Sequence, residues 1–164
     1  MSKIETNTIE PSTGTTLTLG ASGDFILKPN QPAFKAFNDD AAWKSFGASA
    51  TETLMDFPDT NLNIGNCYDT TNKKFVAPIA GVYAFDFQWY TDDTSSRGLI
   101  YKNSESIPEA ATFNTRQGTT LHTNLVIQLS VNDEIKVYGY VGTSNPDDWY
   151  ARKDRSFFQG YLIG

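Results

Sequence analysis

Between Val82 and Tyr90 the chain reads VYAFDFQWY, and Tyr83, Phe85, Phe87 and Trp89 recur at every second position. That period belongs to a strand with one covered face, not to a helix. Pro78 and Gly81 stand just before it, where a fixed φ and a permissive one make a turn without spoiling the ladder. Similar runs follow from Gln31 onward: PAFKAF (32–37), ETLMDF (52–57), NIGNCY (63–68), KKFVAP (73–78), VYAFDFQWY (82–90), RGLIYK (97–102), TTLHTNLVIQL (119–129), EIKVYGYV (134–141) and SFFQGYLI (156–163). Eight or nine strands at this spacing, with no three-turn helix between them, predict an all-β antiparallel sandwich or jelly roll. Asn132 and Asp133 lie between two strong strands and predict a tight turn, because both residue types tolerate left-handed backbone.

Residues 1–30 have a different texture. Thr15 to Leu19 alternates polar and apolar, Gly20, Gly23 and Asp24 break the pattern, and Phe25 to Leu27 resume it before Pro29. A hairpin-like piece this short is marginal alone in water. It is expected to be an arm, ordered by packing on the head (31–164), on sister chains or on another protein, with Leu17, Leu19 and Phe25 as its attachment residues.

Several strands of the head carry apolar residues on both faces. In EIKVYGYV, Ile135, Val137 and Val141 share one face while Tyr138 and Tyr140 occupy the other. In SFFQGYLI, Phe158 and Leu162 oppose Phe157, Tyr161 and Ile163. A monomer leaving both faces open would expose more apolar surface than soluble monomers carry. Each large side chain buried is worth roughly 1.5–3 kcal/mol, so symmetric copies gain by association. The pattern predicts a homo-oligomer in which Tyr83, Phe85, Tyr138, Tyr140, Phe157 and Tyr161 serve packing and the subunit interface, unless the arm or long loops cover one face.

At 164 residues the chain is one domain able to fold without staples. Its single cysteine, Cys67, permits no intrachain disulfide and fits a small buried side chain. A net charge of −6 disfavours nucleic acid and anionic lipid as partners. The first twenty residues hold neither a secretory signal pattern nor a long apolar run, so no membrane insertion is expected and synthesis is expected in the cytoplasm.

Candidate chemistry is sparse. His122 is the sole histidine, no G-x-S-x-G elbow offers a nucleophile, and neither a P-loop nor an H-E-x-x-H pattern occurs. The acid pairs Asp39-Asp40, Asp92-Asp93 and Asp147-Asp148 fall in expected loops, where they read as solvated turn residues. Carboxylates meeting near a threefold axis or loop apex could bind calcium, but these lack a dense ligand spacing for it, so no metal or other cofactor is expected. The loop GTSNPDDWYARKDRS (142–156) mixes aromatics with charges, a composition that suits sugar or protein recognition, or a cap on the sandwich. Its candidate ligand residues are Asp147, Asp148, Trp149, Tyr150 and Arg152, with Trp149 and Arg152 foremost.

The stretch ETLMDFPDTNLNIGNCYDTTNKKFVAPIAGVYAFDF resembles the C1q domain of the C1q and tumour necrosis factor superfamily, through Asn63, Gly65, Tyr68, Asp69, Phe75, Pro78, Gly81, Tyr83 and Phe85. YKNSESI is similar to the family's lysine-asparagine hairpin at Lys102 and Asn103, and FFQGYLIG to its closing strand at Phe158, Gly160 and Leu162. LSVNDEIKV resembles the family's turn with Asn132 in place of glycine. The resemblance spans Pro32 to the end and implies a ten-stranded jelly roll assembled as a homotrimer. Upstream, TIEPSTGTTLTLGASGD resembles segments of bacteriophage head and tail fibre proteins. Together these resemblances imply a non-enzymatic homotrimer at the virion surface, either a capsid decoration (cement) protein or a short head fibre, attached by its arm to capsid or tail proteins. The alternative is a receptor-binding tail fibre knob recognising a host surface glycan or protein, and a third reading is a polysaccharide hydrolase using loop carboxylates.

Overall fold

The computed structural model describes residues 30–164, which form thirteen strands and no helix. In chain order these are β1 (Ala33–Phe37), β2 (Ala42–Lys44), β3 (Thr53–Leu54), β4 (Asp59–Ile64), β5 (Tyr68–Asp69), β6 (Lys74–Val76), β7 (Gly81–Thr91), β8 (Ser96–Lys102), β9 (Glu105–Asn114), β10 (Thr119–Leu129), β11 (Glu134–Tyr140), β12 (Trp149–Ala151) and β13 (Phe157–Leu162). One antiparallel sheet runs β10-β7-β13-β1-β4. The other runs β5-β6-β11-β8-β9, with β3 also paired to β11, and β2 and β12 form a two-stranded ribbon. The arm residues Leu17, Leu19 and Phe25 lie outside the described residues.

The alternation of β7 sets the layering. Tyr83, Phe85, Phe87 and Trp89 all face inward and are at most 2% exposed. From the facing sheet Phe75 meets Phe85 at 5.0 Å and Tyr83 at 5.2 Å between ring centroids. Phe34 of β1 stacks on Tyr68 at 5.0 Å and meets Phe158 edge-on at 4.9 Å. Tyr83 and Phe85 are thus sealed inside a single chain. Their side chains pack in the core, and they present no surface to a neighbouring subunit.

The remaining interface candidates divide between opposite outer faces. Tyr138 and Tyr140 project from the sheet containing β11, and Phe157 and Tyr161 from the sheet containing β13. Tyr138 packs on Tyr101 at 4.4 Å, and the Arg97 guanidinium lies 4.4 Å over the Tyr140 ring, so each has a partner within its own chain. Tyr161 is 55% exposed. No single flat contact holds all four.

Several expected strand bounds shift for local reasons. NIGNCY is split by a turn between the end of β4 and the start of β5, since Gly65 and Asn66 adopt φ of 77° and 49°, and ETLMDF contributes only Thr53 and Leu54 to a ladder. β9 escapes the alternation rule because it is an edge strand carrying Pro108, the position where a missing N–H costs least. Around it the ladder with β8 shifts register between Leu99 and Tyr101. The expected turn at Asn132 is present, with φ of 69°.

Candidate recognition site at the loop end of the sandwich

The loop after β11 is organised by a carboxylate that the sequence places in solvent and the structure buries. Asp148 is 0% exposed. Its Oδ2 accepts hydrogen bonds from the Phe46 N–H (2.6 Å), Ser144 Oγ (2.7 Å) and Ser45 Oγ (3.1 Å), and its Oδ1 accepts one from the Asn145 N–H (2.7 Å). One side chain therefore ties residues 45–46 to residues 144–148. Asp93 stands beside it, also buried, taking a hydrogen bond from Asn145 Nδ2 (3.0 Å) through Oδ1, while its Oδ2 has no partner among the described residues. Burial, then hydrogen bonding and repulsion from Asp148, push its pKa up to about 6. Asp93 and Asp148 are structural acids, not solvated turn residues.

β12 continues from this anchor and alternates. Trp149 and Ala151 point inward, and Tyr150 between them points out. Trp149 is 2% exposed, stacked on Phe46 at 6.4 Å and edge-on to Phe57 at 5.9 Å. It caps the core and cannot face a ligand, which corrects its place among the loop's recognition residues. Asp147 is exposed.

Tyr150 has different company. Across the ribbon it pairs with Trp43, whose indole lies 5.2 Å from the Tyr150 ring and 5.6 Å from that of Tyr90 at the end of β7. The Arg155 guanidinium sits 5.0 Å over Tyr90, and that of Arg152 lies 5.9 Å from the centre of Tyr150. These five residues line a cup of about 210 Å³. A buried hydroxyl holds its rim: Ser156 Oγ donates to the Tyr150 carbonyl (2.7 Å) and accepts from the Tyr90 N–H (3.1 Å). The Tyr150 hydroxyl donates to the Ala41 carbonyl (3.0 Å). Of the expected loop residues, Tyr150 and Arg152 belong to this cup. Trp43, Tyr90 and Arg155 were not among them, and the available signal was that Trp149 and Tyr150, adjacent in a strand, must face opposite ways.

Elsewhere, His122 lies on the outer face of β10 with Asp86 of β7 as its side-chain partner, and Gln159 Nε2 donates to the same carboxylate (3.1 Å). Cys67 is buried, and burial pushes its thiol up to about 11. Among the described residues no three His, Cys, Asp or Glu side chains gather as a metal site would require.

The C1q domain family matches residues 36–163. The chain belongs to the C1q domain family. Solved structures with this fold include the globular domain of zebrafish complement 1qA, at 17% identity and a TM-score of 0.61 over 82% of this chain and 98% of that one. Murine APRIL gives 12% and 0.61 over 81% and 99%, and Eiger TNF from S. frugiperda gives 10% and 0.62 over 82% and 94%. At such identities the likeness is one of fold. Domains of this family are generally non-enzymatic and form homotrimers. In this C1q domain the signature residues have structural tasks: Asn63 brackets Tyr68 through its carbonyl (2.9 Å) and N–H (3.0 Å), and the Tyr68 hydroxyl donates to the Phe57 carbonyl (3.1 Å). Gly81 leaves room for Leu162, whose Cδ1 would lie 2.6 Å from an added Cβ.

Proposed function

We propose that this protein is a non-enzymatic homotrimer on the surface of a phage particle, a capsid decoration protein or short head fibre held by residues 1–30. The observation that carries the trimer is an apolar row across the outer face of the five-stranded sheet. Ile64, Ala33, Tyr161, Ala84 and Val126 stand opposite one another in successive ladders, and Tyr161 and Val126 are 55% and 66% exposed. Such a face gains free energy when covered by a second copy. The particle setting is supported by the resemblance of TIEPSTGTTLTLGASGD to phage fibre segments. Light scattering should return three times the 18.2 kDa chain mass, and a monomer would overturn the trimer. Deleting residues 1–30 should leave a folded trimer that no longer binds particles; retained attachment would sink the decoration role.

A second reading, a receptor-binding knob, is favoured by the aromatic and guanidinium cup at the loop end. Acid chemistry on a polysaccharide has less support, since Asp148 is saturated by donors and Asp93 is buried against it.

A further inference from the structure

From the cup of Trp43, Tyr90, Tyr150, Arg152 and Arg155 we infer that this domain binds a carboxylate-bearing sugar ring, a hexuronate unit of a surface glycan. The inference rests on the recognition reading above for its setting, and it names the site and ligand class that reading leaves open.

The cup combines three features. The first is aromatic surface: Trp43, Tyr90 and Tyr150 are each only partly buried, and their faces carry the negative end of the ring quadrupole. Sugar C–H groups present weakly positive hydrogens to such faces. The second is charge: in a chain of net charge −6, two guanidiniums converge on this one cup. Arg152 is forked onto the Asp154 carboxylate, whereas Arg155 makes no ion pair among the described residues and rests on Tyr90. Arg155 is therefore the free fork for a ligand carboxylate. The two guanidiniums also disfavour a cationic ligand, which an aromatic cluster alone would invite. The third is shape. The Trp43 plane is tilted by 45° to Tyr90 and by 66° to Tyr150, so the rings form a concave corner and not a parallel-sided slot. A corner contacts a puckered ring on more than one side, whereas a flat nucleobase would stack on one ring and leave the other wall uncontacted.

Size and placement agree. At about 210 Å³ the cup is smaller than the roughly 300–1,000 Å³ of pockets for drug-sized ligands, so it holds a single ring of a longer chain. Tyr90 is six residues beyond Ala84 on the same strand, about 20 Å along it at ~3.3 Å per residue, which separates the cup from the apolar row. The Ser156 hydroxyl and the Tyr150 to Ala41 bond fix the rim before any ligand arrives, which lowers the ordering cost of binding.

The test is calorimetric titration of the full chain with oligogalacturonate, its carboxyl-reduced counterpart and adenosine monophosphate. Oligogalacturonate should bind at least about tenfold more tightly than the reduced form, and Arg155→Gln should remove that preference with mass and circular dichroism unchanged. Equal binding of both saccharides, no saccharide binding, preference for the nucleotide, or an Arg155→Gln variant that binds as wild type would each overturn it. So would an Arg155→Gln variant that changes oligomeric mass, since the cup would then be a subunit contact. Adsorption of labelled protein to bacterial cells separates the two levels. Adsorption that persists in Arg155→Gln leaves the receptor reading standing without the cup, and oligogalacturonate binding without adsorption leaves the cup without the receptor.

Discussion

Asp93 and Asp133 are both loop aspartates, yet they respond to acid in opposite senses. Asp133 accepts hydrogen bonds from Asn103 Nδ2 (2.7 Å) and the Ser130 N–H (2.8 Å) and pairs with Lys102 (2.9 Å), which hold its pKa down to about 2. Its contribution to stability is present above the ordinary carboxylate range and is lost as pH falls from about 4 towards 2. Asp93 has its pKa raised to about 6, so the folded state holds the proton more tightly than the unfolded chain does. Stability from Asp93 is therefore greatest below about pH 4 and falls as pH rises towards 6, where two buried carboxylates come to face each other. Urea unfolding of Asp93→Asn should show a flatter stability profile between pH 4 and 6 than wild type, and a higher midpoint at pH 7. A midpoint at pH 7 no higher than wild type would show that the pair is not strained there.

At the scale of elements, β12 shows what alternation does and does not reveal. Its three residues are too few to establish a period, and the sequence around it, Asp147 to Arg155, is charged enough to pass for a solvated loop. The strand exists because Asp148 anchors its start and β2 pairs with it. Long-range contacts of this kind leave no local signature. By contrast, β7, β10, β11 and β13 were legible almost to the residue, because runs of six to eleven strand-forming residues carry their own local signal. β9 was missed on account of Pro108 and its acidic residues, which are marks of an edge strand. The site was half legible for the same reason: Tyr150 and Arg152 come from one loop, whereas Trp43 and Tyr90 reach them only through the fold. Trp149→Ala should cost about 3–5 kcal/mol by chemical denaturation, as expected for a buried aromatic contacting Phe46 and Phe57. A loss below 1 kcal/mol would return Trp149 to the surface.

For the whole molecule, the two outer faces of the sandwich have different characters. The sheet containing β11 covers its tyrosines with Tyr101 and Arg97 of the same chain. The other sheet leaves its central row open. Val126→Asp places a charge in that row without touching the core. In the proposed trimer it should lower the mass seen by light scattering towards that of the single chain while leaving circular dichroism unaltered. An intact trimer would move the interface to the other face.

The open row is not flat. Tyr161 rises between two hollows, one floored by Ala84 and the other by Ala33. In the proposed trimer, contacts about the threefold axis are head to tail, and a ridge flanked by hollows gives each copy one part to offer and one to receive. Head-to-tail contacts either close into a ring or run on as a filament, and the turn made at each step decides which. The proposed trimer turns by a third of a revolution at each step and so closes into a ring. In that trimer the methyl-sized side chains of Ala84 and Ala33 leave the hollows that a neighbour's ridge can enter, while the threefold turn limits the assembly to three copies.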